Sequence, residues 1–359
     1  MQAFLIIKQL NSMKNSLLSK TKFVIMLCCI SFLALAGVAG AIYYSALSAS
    51  SKNTQVVYID IYPSYSISEV LSTLEEKASL SKPKSFLFLS NIIGYSNEIK
   101  TGRYEITSNE SNLNIIRKLK SGHQSPVKLT FNNVRTKEDL AVKLTKNIMC
   151  DSVEMLALLN NKSVYEKYGF TDTTFLAMFI PNTYQVYWNT SCDRILDRLN
   201  NEYNKFWNEK RRQQADSIGL SPIEVSTLAS IVEEESAYLP EYPLIAGMYI
   251  NRLKVKMPLQ ADPTVKYAVG DFSIRRVLHT HLETPSPYNT YLITGLPPGP
   301  IRIPSIQAIE AVLNSAQHDY YYMCASPDFS GKHVFAKNLT QHSVNAQRYR
   351  SALNRRNIR

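Results

Sequence analysis

The sequence predicts an α+β protein tied to a membrane by one N-terminal transmembrane helix. Three observations carry that expectation. An uncharged apolar run near the N-terminus matches the thickness of a bilayer core. The rest of the chain mixes short β-branched stretches with segments of helical periodicity. Its 359 residues, at roughly 150 per domain, suit two domains beyond the membrane helix.

The apolar run is Phe23 to Tyr44, FVIMLCCISFLALAGVAGAIYY. Lys8, Lys14, Lys20 and Lys22 precede it, and residues 1–22 contain no acid. The positive-inside rule then makes 1–22 a cytoplasmic stub and 23–44 the membrane helix, with everything beyond Tyr44 outside the cytoplasm. A cleaved signal peptide is the alternative. Ala39-Gly40-Ala41 is a passable cleavage signal, but the run is long for one, so the uncleaved anchor is preferred. Met13 offers an alternative start. Residues 45–54 are small and polar, as expected of a juxtamembrane linker.

Composition bounds the remainder. Apolar residues make up 45% and charged residues 19%, enough for an ordinary core and too apolar for wholesale disorder. The formal charge of +11 suits an anionic partner, whether nucleic acid, membrane surface or acidic wall polymer. The expected topology removes the folded part from the cytoplasm, so nucleic acid is not expected. The five cysteines form no metal signature. Cys150 and Cys192 either pair in an oxidising compartment or are simply buried.

Residues 55–130 read as a small α+β unit. Gln55–Pro63 alternates as a strand. Ser66 and Glu69 form a capping box ahead of the stripe Ile67, Val70, Leu71 and Leu74. A helix follows over Ser85–Ile93, then a turn and strand over Lys100–Ile106. A further helix carries Leu113, Ile116 and Leu119 and stops at Gly122, and Val127–Phe131 reads as a strand. This unit holds no cluster of catalytic residue types, which favours binding or spacing.

Residues 131–359 form the second domain. Thr136–Lys146 and Ser152–Asn160 read as short helices. Phe179–Trp188 is either a plain strand or one wall of a sugar groove. Ile195–Ala215 reads as one charged amphipathic helix. Ser221 as N-cap, Pro222 at the first helical position and Glu224 at the third start the next helix, which must stop before Pro240. With Leu228 set at zero and about 100° per residue, Ile231 falls near 300°, Val232 near 40° and Leu239 near 20°. Glu235 falls at about 340°, inside that apolar stripe, whereas Glu233 (about 140°) and Glu234 (about 240°) point elsewhere.

A carboxyl on a buried face is desolvated and holds its proton, as a general acid must. The competing reading is a salt-bridged carboxylate, with Arg252 as partner. A second helix spans Leu244–Val255. Gln260–Tyr267, Tyr288–Tyr291 and Gly295–Ile301 then read as loops dense in amides, hydroxyls and aromatics. Such loops suit carbohydrate, although each alone is equally a structural turn.

The stretches LASIVEEES, INRLKVKMPLQADPTVKYAVG, ETPSPYNTYLITGLPPGPI and HVFAKNLTQHSVNAQRY, in this order, resemble the MltG (YceG-like) endolytic murein transglycosylases. Residues 55–130 resemble that family's LysM-like module less specifically, through TGRYEI and the helix after it. The resemblance implies a fold of transmembrane helix, LysM-like α+β module (55–130) and mixed α/β catalytic domain (131–359). It implies a lyase of the bacterial inner membrane that cuts peptidoglycan strands internally between N-acetylmuramic acid and N-acetylglucosamine, leaving a 1,6-anhydro end. Peptidoglycan synthases become candidate partners, and neither metal nor cofactor is expected. The catalytic acid of the family is the last of an ExE motif, here Glu235; where the family usually has Lys between the two acids, this chain has Glu234. By the same resemblance Gln260, Asp262, Thr264, Tyr288, Asn289 and Tyr291 line the substrate groove. The rivals are a hydrolytic muramidase using Asp262 or Glu283 as second acid, and a non-catalytic wall-binding scaffold.

Overall fold

The computed structural model describes residues 2–356 and divides into two compact units after Pro126. The first opens with helix α1 (Gln2–Leu47), in which Leu18–Leu47 is long and apolar enough to cross a membrane. The helix continues past Tyr44, and Ala46 joins the core of this unit. The stretch expected as a free linker is docked as well. Ser50 and Ser51 are fully buried, and both backbone N–H groups donate to the carbonyl of Glu110. Small side chains let this backbone approach closely, and the Ser51 hydroxyl is satisfied by the Thr107 carbonyl at 2.9 Å.

Strand β1 (Val57–Ile61) pairs antiparallel with β2 (Gly102–Ile106) around helices α2 (Ile67–Ala78), α3 (Pro83–Ile93) and α4 (Asn112–Ser121). Alternation places Ile59 and Ile61 inside, against Val70, Leu74, Phe86, Ile115 and Leu119. On the outer face Asp60 sits directly opposite Arg103, and the two form a bidentate pair at 2.6 and 2.9 Å. The Ser66–Glu69 capping box forms, and Gly122 ends α4 in the left-handed conformation. Strand β3 (Pro126–Thr130) does not complete this unit. Its partner is β4 (Thr183–Tyr187), so Val127 and Leu129 lead into the second unit.

In the second unit α5 (Lys137–Thr145), α6 (Ser152–Leu159) and α7 (Lys162–Lys167) follow β3. Cys150, just before α6, and Cys192, the first residue of α8 (Cys192–Phe206), form a disulfide with Cα atoms 5.6 Å apart. The single helix expected over 195–215 is two. Trp207 is drawn into the core, which ends α8, and the Asn208 side chain caps α9 (Glu209–Ser217). Then come α10 (Pro222–Glu235), α11 (Tyr242–Lys254), α12 (Asp262–Val269) and α13 (His279–Leu282). The segment read as a loop at 262–267 is thus helical: Pro263 lies in the first turn, where no N–H is needed. Helix α14 (Ile306–Leu313), the antiparallel hairpin β5 (Tyr322–Ala325) and β6 (His333–Ala336), and α15 (Leu339–Arg355) complete the unit.

Helix α10 runs through the core, with every residue from Val225 to Val232 buried. In the Pro297-Pro298-Gly299-Pro300 turn all but Pro298 are buried. Just beyond it, the N–H of Ile301 donates to Ser230 of α10 at 3.0 Å. A Cβ on Gly299 would lie 1.9 Å from the carbonyl oxygen of Thr173, which is backbone and cannot swing aside. Gly299→Ala should therefore destabilise the second unit by about 1–3 kcal/mol, the usual cost of overpacking. Thermal melts of the two proteins at one pH test this, and an unchanged melting temperature would show that the turn is not held as described.

Candidate active site

The site begins with how α10 ends. Its start is set by a capping box: the Glu224 N–H donates to Ser221 Oγ at 3.3 Å, and the Ser221 N–H donates to Glu224 Oε2 at 2.8 Å. From this start the last three residues are all acids, and the structure treats them differently. Glu233 accepts the N–H of Ser305 at 2.7 Å and lies 3.7 Å from Arg302. Glu234 takes Arg135 at 2.8 and 3.0 Å and is bonded by Arg302 as well. Neither residue reaches the cleft that Glu235 enters.

Glu235 forms no ion pair among the described residues. Its one direct partner is the Tyr249 hydroxyl on α11, which donates to Oε1 at 2.6 Å. Burial is the main influence on the carboxyl and pushes its pKa up to about 7; Asp262 adds to the rise, while the Tyr249 hydrogen bond, Arg252 and Lys266 oppose it. The acid is thus half protonated near neutrality. In the protonated form Oε1 accepts from Tyr249, so the proton sits on Oε2 and is available to an incoming acceptor. Leu239, expected on the same stripe, lies beyond the end of α10 and is 53% exposed. The stripe that buries Glu235 is supplied by the helix itself and its neighbours.

Arg252 is not the salt-bridge partner of Glu235. It is 7% exposed, and its guanidinium donates to three backbone carbonyls: Tyr321 at 2.6 Å, Pro258 at 3.1 Å and Leu259 at 2.8 Å. It staples the segment before Gln260 to the segment before β5. Residues 260–264 and 289–291 are stitched together in turn. The Gln260 N–H donates to the Thr290 carbonyl at 3.0 Å, and the hydroxyls of Thr264 and Thr290 lie 2.8 Å apart.

These staples bring Gln260, Asp262 and Tyr291 into one cleft with Glu235, of about 240 Å³. Tyr291 donates to Asp262 Oδ1 at 2.7 Å. The other three residues expected on this groove lie elsewhere. Thr264 is fully buried, and its hydroxyl is 2.7 Å from the Ala261 carbonyl. Asn289 is fully buried and braces its own loop, donating to the carbonyls of Leu282 and Thr284 at 2.9 Å and accepting from the Tyr291 N–H at 3.1 Å. Tyr288 lines a separate cleft of about 370 Å³ with Tyr267, Arg135 and Lys137, its ring 4.6 Å from that of Tyr267. Polar residues in a groove loop can hold the backbone as readily as a ligand, and Thr264 and Asn289 do the former. Glu283 pairs with His279 on an exposed surface and does not line the Glu235 cleft.

Two features of the cleft carried no signal in helical periodicity. Tyr249 emerges only when α11 is packed on α10. The hairpin β5–β6 supplies a wall through Met323, Cys324, Ala325 and His333, and His333 is held by the buried Glu241. His333 opens the quoted motif HVFAKN, which marks it without revealing its partner. Among the described residues the one grouping of metal-ligand type is Cys150, Glu154 and Cys192, whose sulfurs are joined in the disulfide.

The YceG-like family model matches residues 59–348. A Bacillus subtilis protein named endolytic murein transglycosylase is 30% identical over 88% of this chain and 92% of its own length. A Streptococcus pneumoniae protein of the same name is 26% identical over 90% of this chain and 65% of its own length. A solved structure of a yceG-like protein from Listeria monocytogenes superposes with a TM-score of 0.52 at 26% identity, over 81% of this chain and 99% of the other. The match spans both units, from β1 into α15, and the chain belongs to the YceG-like family.

Proposed function

We propose that this chain is an endolytic peptidoglycan lytic transglycosylase, anchored in the bacterial inner membrane by α1 with both folded units outside the cytoplasm. The observation that carries the reading is a cleft in which Glu235, bonded by the Tyr249 hydroxyl and in no ion pair among the described residues, has its pKa raised by burial to about 7. The curated relatives supply the reaction class through their name. The lysines before the apolar run support the orientation, and the Cys150–Cys192 disulfide fits an oxidising compartment. The first unit serves as a LysM-like spacing or wall-binding module, and peptidoglycan synthases are candidate neighbours.

In this reading Oε2 of Glu235 gives its proton to the glycosidic oxygen between N-acetylmuramic acid and N-acetylglucosamine. The C1–O bond breaks as positive charge develops at C1. The C6 hydroxyl of the same muramic sugar attacks C1, its proton passes to the Glu235 carboxylate, and a 1,6-anhydro end results. An internal hydroxyl removes the need for an activated water, because it is already at hand. Gln260 and Tyr291 are placed to bind hydroxyl or acetamido groups.

A second reading keeps the same acid but lets Asp262, in the same cleft, activate water. Digestion of uncrosslinked glycan strands separates the two, since anhydro ends support the lyase and reducing ends the hydrolase.

Glu235→Gln should lower turnover by roughly 10²- to 10⁴-fold, the usual worth of a general acid. Undiminished release of fragments from uncrosslinked glycan would remove Glu235 from the mechanism. In the wild type, kcat/KM should fall above pH about 7 as the acid ionises. Tyr249→Phe removes a hydrogen bond that favours the charged form, so this alkaline limb should move up by about one pH unit or less while kcat drops; a limb that moves down would contradict the assignment.

The same shift governs stability. The native pKa, about 7, lies above the ordinary value of 4.5, so the native protein keeps a proton that the unfolded chain releases. This contribution is complete below pH 4.5 and is lost as pH rises through about 7; in full it amounts to about 3 kcal/mol. A neutral amide at 235 escapes the loss, so the melting temperature of Glu235→Gln should exceed wild type at pH 8, with the gap closing towards pH 5. A gap that is constant with pH would mean that the carboxyl is not desolvated.

A further inference from the structure

The hairpin wall of the Glu235 cleft holds a second group with proton chemistry. His333 Nδ1 lies 3.0 Å from Glu241 Oε2, and the backbone N–H of His333 donates to Glu241 Oε1 at 2.8 Å. The Ser236 hydroxyl approaches Glu241 Oε2 at 3.4 Å. Glu241 is 6% exposed, and the Ser236 hydroxyl, the His333 N–H and the His333 imidazole converge on its two oxygens. The imidazole tautomer that donates to Glu241 carries its hydrogen on Nδ1 and its lone pair on Nε2. His333 lines the cleft, and among the described residues Nε2 has no hydrogen-bond partner. Ser236 directly follows Glu235, so one buried carboxylate ties the imidazole to the end of the helix that carries the acid.

The other proton acceptor on the cleft is Asp262. It is exposed, and its Oδ1 is already engaged by Tyr291. A carboxylate-backed imidazole on the same cleft as the acid calls for an N–H or O–H on the substrate close to the reacting carbon. The 2-acetamido N–H of an N-acetylated sugar meets that need, because its own carbonyl oxygen can close on C1 from the face opposite the leaving group.

Resting on the transglycosylase reading, we propose that His333 is a further catalytic residue that accepts the acetamido N–H of the muramic sugar, with Glu241 as its positioning residue. The steps balance. The C1–O bond to the leaving sugar breaks, and the Glu235 proton goes to the leaving oxygen. The acetamido oxygen bonds to C1, and the acetamido proton moves to His333 Nε2, giving an imidazolium paired with Glu241 and a neutral oxazoline. The C6 hydroxyl then attacks C1 and breaks the bond to the acetamido oxygen. Its proton goes to Glu235, and His333 returns its proton to the acetamido nitrogen. Both side chains regain their starting states without a co-reactant.

The test uses the full chain in detergent, on uncrosslinked glycan strands, with a thiazoline analogue of the N-acetylated sugar as mimic of the ring-closed intermediate. His333→Ala should lower kcat by roughly 10²-fold with KM little changed, bind the thiazoline at least about tenfold more weakly, and recover part of its rate with added imidazole. Glu241→Gln keeps the imidazole but loses the tautomer lock; it should lower kcat about tenfold or more, without rescue by imidazole. A folded His333→Ala that keeps wild-type kcat and thiazoline affinity overturns the proposal. If that variant does not fold, wild-type kcat in Glu241→Gln overturns it instead. End-group analysis of the wild-type digest keeps the two claims apart. Reducing ends would reject the transglycosylase reading, yet a His333 dependence of thiazoline binding would still uphold acetamido assistance.

Discussion

The candidate site depends on one desolvated carboxyl group, that of Glu235, which forms no ion pair among the described residues. Glu235 closes a helix that is buried from Val225 to Val232, and its direct partner is a hydroxyl, that of Tyr249 at 2.6 Å. Three acids in succession would repel one another strongly if all faced one side. The structure avoids this by giving Glu233 and Glu234 to Arg302 and Arg135. The arginines pair with two of the acids and leave the third without an ion pair among the described residues. Glu234 is held by two arginines, Arg135 and Arg302.

Isolation of this kind is costly, and the surroundings have to enforce it. An unpaired buried carboxyl relaxes towards water whenever the backbone permits. Here the backbone is fixed by polar side chains turned inward. Arg252 holds three carbonyls, Asn289 holds two more, and the paired hydroxyls of Thr264 and Thr290 join the segments that present Asp262 and Tyr291. None of these polar groups needs to touch a ligand for the cleft to keep its shape.

Local features were legible in the sequence; long-range partnerships were not. The capping boxes at Ser66 and Ser221 and the glycine stop at Gly122 involve residues three or four apart, so pattern alone locates them. Periodicity also separated Glu235 from its two neighbours, because a helix phase fixed by Leu228 and Val232 extends one more turn. The same extension failed at Leu239, since the chain leaves the helix at Ser236. The break at Trp207 was hidden because a tryptophan suits an amphipathic helix until a core recruits it. The sequence groups strand β3 with residues 55–130 for a similar reason: alternation says that a strand exists but not that it pairs with β4. Thr264 and Asn289 have the chemistry of sugar ligands, and only tertiary packing reveals that backbone groups already satisfy them.

Glu241 illustrates the limit best, and it also shows how the cleft is unified. In the sequence it is one acid beside a proline and a tyrosine, with no periodic partner. In the fold it is nearly dry and receives a hydroxyl from Ser236, a backbone N–H from His333 and the imidazole of the same residue. The helix that bears Glu235 and the hairpin that bears His333 are thus fastened by one carboxylate within a few ångströms of each group's own backbone. Any shift of the hairpin relative to the helix end must break charge-assisted hydrogen bonds in a low-dielectric setting, where they are strongest. The spacing between the helix end that carries the acid and the hairpin that carries the imidazole is therefore set by a single buried carboxyl group.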